Sequence, residues 1–262
     1  MSNLLQMRNY LKTSLTDEQK KEIRKFQAFK FRGLQGFIYK ILFGSNLKVL
    51  SLIYGGDKWG SHWYIKHYET HLAHLRKKKL NILEIGVGGY NDPKSGGSSL
   101  RMWRTYFPNS HIFGIDIEDK SCHDEHRIKT FKCSQTDSKS LENVLREIGH
   151  IDIVIDDGSH INEHIIHTFK FLFPKLSENG IYVIEDLQTS YWPSYGGSSD
   201  NLNRSDTAMG FLKQLTDGLN HAEYKLETYE PTYFNKHIVA MHFYHNIVFI
   251  QKGLNNEGSN IN

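Results

Sequence analysis

The sequence predicts an α/β protein: a Rossmann-like, seven-stranded, doubly wound sheet that ends in a C-terminal antiparallel hairpin and follows a helical N-terminal appendage. Three observations carry this expectation. Five apolar runs recur with helix-like stretches between them, the spacing of strand–helix–strand units in a parallel sheet covered on both faces. The first run ends in glycines, and three later runs end in carboxylates, where such sheets bind ligands. Two final runs, 237–245 and 247–253, are nearly contiguous and pair as a tight hairpin.

Taken in order, residues 1–50 read as helical. Thr16 and Gln19 have capping-box spacing, and Ile23, Phe26, Leu34, Phe37, Ile38, Ile41 and Leu42 recur at helical intervals. Eight Lys/Arg lie between Lys20 and Lys48 against one acid, Glu22, so this appendage is basic and amphipathic. A helical cover or a contact between copies of a homo-oligomer is the leading reading, and a membrane-surface helix the minor one. Residues 51–254 then form the main domain. Its strands are "LNILEIGVG" (80–88), "HIFGIDI" (111–117), "IKTFKCS" (128–134), "IDIVIDD" (151–157) and "GIYVIED" (180–186), followed by the hairpin. Helical stretches such as "SLRMWRTYF" and "SKSLENVLREI" separate them. The polar tail 255–262 is expected to be flexible.

Composition excludes several classes. In 262 residues, 39% are hydrophobic and 23% charged, as in ordinary globular proteins. No apolar run approaches the ~20 residues of a membrane span. The net charge of +3 is too small to announce a nucleic-acid partner. Cys122 and Cys133 form neither a CxxC pair nor a disulfide framework, which favours a reducing cytoplasm.

The first strand end reads Glu84-Ile85-Gly86-Val87-Gly88-Gly89-Tyr90. A dinucleotide fingerprint needs a third glycine leading straight into a helix. Here Asn91 takes that place, and "YNDPKSGGS" intervenes before a helix that Ser98 or Ser99 would cap. A carboxylate at Glu84 suits an ammonium or sulfonium better than a pyrophosphate. S-adenosylmethionine carries both, and Asp116 suits the ribose hydroxyls of either cofactor. An NAD-dependent nucleotide-sugar oxidoreductase is the competing enzyme, and a non-catalytic binding module on the same fold the competing non-enzyme.

The fourth and fifth strand ends bring Asp156, Asp157, Glu185 and Asp186 into one small volume. Like charges at about 4 Å repel by about 4 kcal/mol at an effective dielectric of about 20. Either some acids are protonated or a cation sits among them, and an all-oxygen set with room for substrate suits Mg²⁺. His160 follows closely, and an imidazole is the side chain type suited to act as base for a hydroxyl. His160, His164 and His167 share a helix face, but no cysteine or HExxH pattern supports zinc. Tyr191 and Trp192, just beyond the fifth strand, either stack on a sugar ring or pack within their loop. Lys58, His62 and Tyr64, in "GGDKWGSHWY", are contacts without assigned roles.

The motifs "DKWGSHWY", "LEIGVGGY", "SLRMW", "DDGSH" and "YVIEDLQTSYWP" resemble the metal-dependent sugar O-methyltransferases of macrolide biosynthesis, over residues 54–197. The resemblance implies the class I S-adenosylmethionine-dependent methyltransferase fold, with Mg²⁺ as the metal. It implies that Asp157, Glu185 and Asp186 bind the metal and that His160 is the general base. It places Glu84, Gly86, Gly88 and Asp116 at the cofactor, Gln135 near the adenine, and Asp156 behind the metal or against the cofactor. The macrolide enzymes carry a larger N-terminal part, so the acceptor is any sugar-containing glycan, glycolipid or small molecule with neighbouring hydroxyls.

Overall fold

The computed structural model describes residues 41–90 and 92–259. The capping box at Thr16 and Gln19, the basic stretch through Lys40, Asn91 and the last three residues lie outside them. The described chain opens with helices α1 (Leu47–Tyr54) and α2 (Ile65–Leu72). Strand β1 (Asn81–Ile85), helix α3 (Ser98–Tyr106), β2 (His111–Asp116) and β3 (Ile128–Lys132) follow. Then come α4 (Ser138–Ile148), β4 (Ile151–Asp156), α5 (Asn162–Leu172) and β5 (Leu176–Ile184). Helices α6 (Ala208–Gly218) and α7 (Tyr233–His237) precede β6 (Ile238–Tyr244) and β7 (Ile247–Lys252).

The seven strands lie in the order β3-β2-β1-β4-β5-β7-β6. The pairs among β1 to β5 are parallel, and β7 runs antiparallel to β5 and to β6, the latter as their two-residue turn requires. All seven expected strands are present.

Strand alternation divides the interior in two. Leu83, Ile85, Val154, Tyr182 and Ile184 face one side, with Leu141, Phe169 and Leu212 of α4, α5 and α6. Ile82, Ile153, Ile155, Val183 and Phe249 face the other, with Leu50, Tyr68 and Trp103 of α1, α2 and α3. Each side excludes water from apolar surface worth about 25 cal/mol per Å², which is why the strands read as near-continuous apolar runs.

Three features lie at or near the expected boundaries. The division at 50/51 falls inside α1, whose Leu47, Leu50 and Tyr54 are buried in the second core. Helix α3 is preceded by Gly97 in left-handed geometry, with no side-chain cap from a serine, because the loop folds back so that Gly97 N–H donates to Val87 O at 2.8 Å. In the tail, Asn255 is tied by hydrogen bonds to Leu219, Asn235 and Lys236.

Candidate active site

The site lies at the carboxyl ends of β1, β4 and β5. The turn after β1 is tight: Gly86 has φ +89°, and a Cβ there would sit 2.1 Å from the Asp157 carbonyl oxygen. Only glycine admits both that backbone and that approach. Asp157 N–H donates to Ile85 O, so the ends of β1 and β4 are latched together. Gly88 is also left-handed, and the loop folds back until Gly96 packs on the Gly88 carbonyl. Asp116, at the end of β2, accepts from Val87 N–H at 3.0 Å and Glu118 N–H at 2.9 Å, which fixes it beside the glycine turn.

Strand parity decides where each acid points. Glu84 follows Ile82, and Glu185, one residue past β5, keeps the alternation of Val183, onto the α1–α3 side of the sheet. Both are buried there. Asp156 follows Val154 onto the α5 side, beside Tyr182. Asp157 and Asp186 stand past the strand ends, where alternation lapses. Asp186 and His160 both take left-handed backbone, φ 54° and 58°, a conformation that favours Asp, Asn and His among non-glycine residues.

The outcome is one cluster with two compartments. In the outer one, His160 Nε2 lies 3.5 Å from Asp186 Oδ2 and 3.9 Å from Asp157 Oδ1. Ligand atoms of Asp157, His160 and Asp186 all fall within 4.8 Å of one another, the one metal-competent group among the described residues. Tyr64 donates to Asp186 Oδ1 at 2.7 Å, and His62 Nδ1 lies 3.3 Å from the same oxygen. Burial pushes the Asp186 carboxyl up, but Tyr64, His160 and His62 outweigh it and hold it below its ordinary value.

In the inner compartment, Lys58 Nζ donates to Asp157 Oδ2 at 2.9 Å and Glu185 Oε1 at 2.5 Å, with Glu84 Oε1 at 3.6 Å. Tyr68 also donates to Glu185. Burial works against the lysine's charge, but Asp157 and Glu185 outweigh it and raise its pKa. Burial pushes Glu84 up to about 7. Its Oε2 is buried without a hydrogen-bond partner.

Several expected residues make contacts that the sequence does not specify. Glu185 stands with Lys58 and Tyr68, outside the Asp157–His160–Asp186 group. Gln135, expected near the adenine, and Asp156, expected behind the metal or against the cofactor, brace the turn after β4. Gln135 accepts from Ser159 N–H at 2.8 Å and donates to Thr168 and Asp156, while Tyr182 donates to the other Asp156 oxygen. The parity of Asp156 explains this. His164 and His167 bond to Ser159 and Ser138, away from the metal-competent group. Tyr191 is half-buried, and Trp192 stands 47% exposed beyond the end of β5. The sequence leaves Lys58 and Tyr64 without roles and does not single out Tyr68; the acids they hydrogen-bond are more than 90 residues away, so no local motif marks the pairing.

No protein-family model matches the chain. It is 48% identical over 207 residues to the 8-demethyl-8-alpha-L-rhamnosyl tetracenomycin-C 2'-O-methyltransferase of Streptomyces olivaceus, covering 79% of this chain and 54% of the relative. It is 46% identical over 215 residues to the mycinamicin VI 2''-O-methyltransferase of Micromonospora griseorubida, covering 81% and 54%. The chain thus spans about half the length of the curated relatives it matches. Among solved structures, the MycE methyltransferase from the mycinamycin biosynthetic pathway, in complex with Mg and SAH, superposes with a TM-score of 0.79 at 46% identity, covering 81% of this chain and 56% of that one. Over the region they share, the chain is a homologue of these sugar O-methyltransferases and carries the class I S-adenosylmethionine-dependent methyltransferase fold.

Proposed function

We propose that the chain is an Mg²⁺-dependent O-methyltransferase that moves the methyl group of S-adenosylmethionine to a hydroxyl of a sugar-containing acceptor. The observation that carries this reading is the convergence of Asp157, His160 and Asp186 within 4.8 Å beside a buried, half-satisfied Glu84. The donor set fits both groups. Hard carboxylate oxygens suit Mg²⁺, and the unpartnered Glu84 oxygen suits the cofactor's ammonium. The relatives include a rhamnosyl tetracenomycin-C 2'-O-methyltransferase and a mycinamicin VI 2''-O-methyltransferase, and the MycE structure contains Mg and SAH.

Asp157 and Asp186 hold the metal, with Glu185 as the third carboxylate. Gly86 and Gly88 let the backbone approach the cofactor, Glu84 takes its ammonium and Asp116 its ribose. When bound, the cofactor supplies an electrophilic methyl group, and the metal supplies the charge that orients and acidifies an acceptor hydroxyl. His160 Nε2 accepts the hydroxyl proton, and Asp186 Oδ2 at 3.5 Å stabilises the resulting imidazolium. Such a base contributes about 10² to 10⁴ in rate. Tyr191 and the exposed Trp192 form an apolar wall for the sugar ring. The acceptor presents neighbouring hydroxyls and is a polysaccharide, glycolipid or glycosylated small molecule. The catalytic unit is residues 51–254 together with α1, which crosses that boundary, and it works as a homo-oligomer.

Asp157→Ala and His160→Ala are expected to lose methyl transfer to a panel of glycosylated acceptors while the cofactor still stabilises both variants in thermal melts. Full turnover by either variant contradicts the reading. So does stabilisation of the wild type by NAD and not by S-adenosylmethionine.

A further inference from the structure

Lys58 sits in the connection between α1 and α2, 99 residues from Asp157 and 127 from Glu185 in sequence. It is 1% exposed. An ammonium leaves water only where its donors and its charge are both met. Here they are met by acids from two strand ends, with a third, Glu84, alongside. Two of the oxygens it holds belong to Asp157 and Glu185, residues the metal would also claim. An ammonium and a dication sharing these oxygens would lie within a few ångströms of each other and repel strongly. Unit charges of like sign already repel by about 4 kcal/mol at about 4 Å and a dielectric of about 20.

Building on the metal-dependent reading above, we propose that Lys58 is a built-in counter-ion for the acid cluster, and that a divalent ion loads by displacing its ammonium from Asp157 and Glu185. Lys58 is thus a positioning residue. It keeps the carboxylates assembled in the metal-free protein and sets how tightly the ion is held. Glu84 Oε1, 3.6 Å from Nζ, gives the ammonium a carboxylate to stay beside as it yields the other two.

The test uses Mn²⁺ as the ion, titrated calorimetrically into chelator-treated full-length wild type and Lys58→Met. The variant is expected to bind Mn²⁺ at least about tenfold more tightly, the change that removing ~1.4 kcal/mol of competition produces. It is also expected to melt lower than wild type without metal and to gain more from its addition, while Lys58→Arg keeps wild-type affinity. Equal or weaker Mn²⁺ binding by folded Lys58→Met overturns the inference alone, whereas no Mn²⁺ binding by the wild type overturns it together with the metal-dependent reading. Should Lys58→Met not fold, the wild type still decides. The Lys58 Nζ nitrogen resonance shifts on Mg²⁺ titration if the ammonium is displaced, and an unmoved resonance under saturating Mg²⁺ rules displacement out.

Discussion

Tyr64 donates its hydroxyl to Asp186 Oδ1 at 2.7 Å, across 122 residues of sequence, while His160 faces the other oxygen of the same carboxylate. Each oxygen of Asp186 is thereby aimed, one by a neutral donor and one toward the proposed base. Hydrogen bonds to charged groups contribute about 1.5–3 kcal/mol. Tyr64→Phe should therefore raise the Asp186 pKa and weaken Mn²⁺ binding by about tenfold, read by calorimetry. Unchanged affinity would mean that Tyr64 only packs.

Gly86 meets the Asp157 carbonyl so closely that a methyl group has no place, and its φ of +89° penalises any side chain. Gly86→Ala combines backbone strain with overpacking and should cost at least ~2 kcal/mol in urea unfolding. A wild-type midpoint would show that the β1 and β4 ends are not latched as described.

Burial pushes Asp156 from its ordinary 3.8 up to about 7. Between those values the native chain keeps a proton that the unfolded chain releases. The contribution of Asp156 is therefore complete on the acid side and is lost as pH rises toward about 7. In metal-free protein, Asp156→Asn should flatten the decline in unfolding free energy between about pH 4.5 and pH 7 by on the order of 2–4 kcal/mol. An unchanged slope would place the proton elsewhere.

Glu84 is pushed up to about 7 by burial, and in the proposed reading a cationic cofactor would give it a partner. Wild-type affinity for S-adenosylmethionine should thus climb as pH rises through about 7. Glu84→Gln should remove that dependence and weaken the cofactor about tenfold or more, by the worth of a charge-assisted bond. A variant that keeps both affinity and pH profile would remove Glu84 from the cofactor site.

Much of this was legible along the chain because local patterns encode it. β-Branched runs such as Ile151–Ile155 mark buried parallel strands, and the short gap between Tyr244 and Ile247 forces a hairpin. The acids stand out because they end apolar runs. What was not legible is which way each acid faces. Asp156 and Asp157 are adjacent, yet one is buried against Tyr182 and Gln135 while the other meets Lys58 and His160. Parity explains this only once the strand end is known to within one residue. Lys58 stands out in its motif as a contact, but its role was not legible for a different reason: only the tertiary fold buries it against Asp157 and Glu185. Likewise α1 crosses the expected boundary because its apolar face is filled by α3, a contact no local pattern announces.

The most direct measurement is transfer of labelled methyl from S-adenosylmethionine to a glycosylated acceptor, before and after complete removal of divalent ions. Turnover should vanish on chelation and return with added Mg²⁺. Undiminished transfer by fully chelated protein would contradict the account.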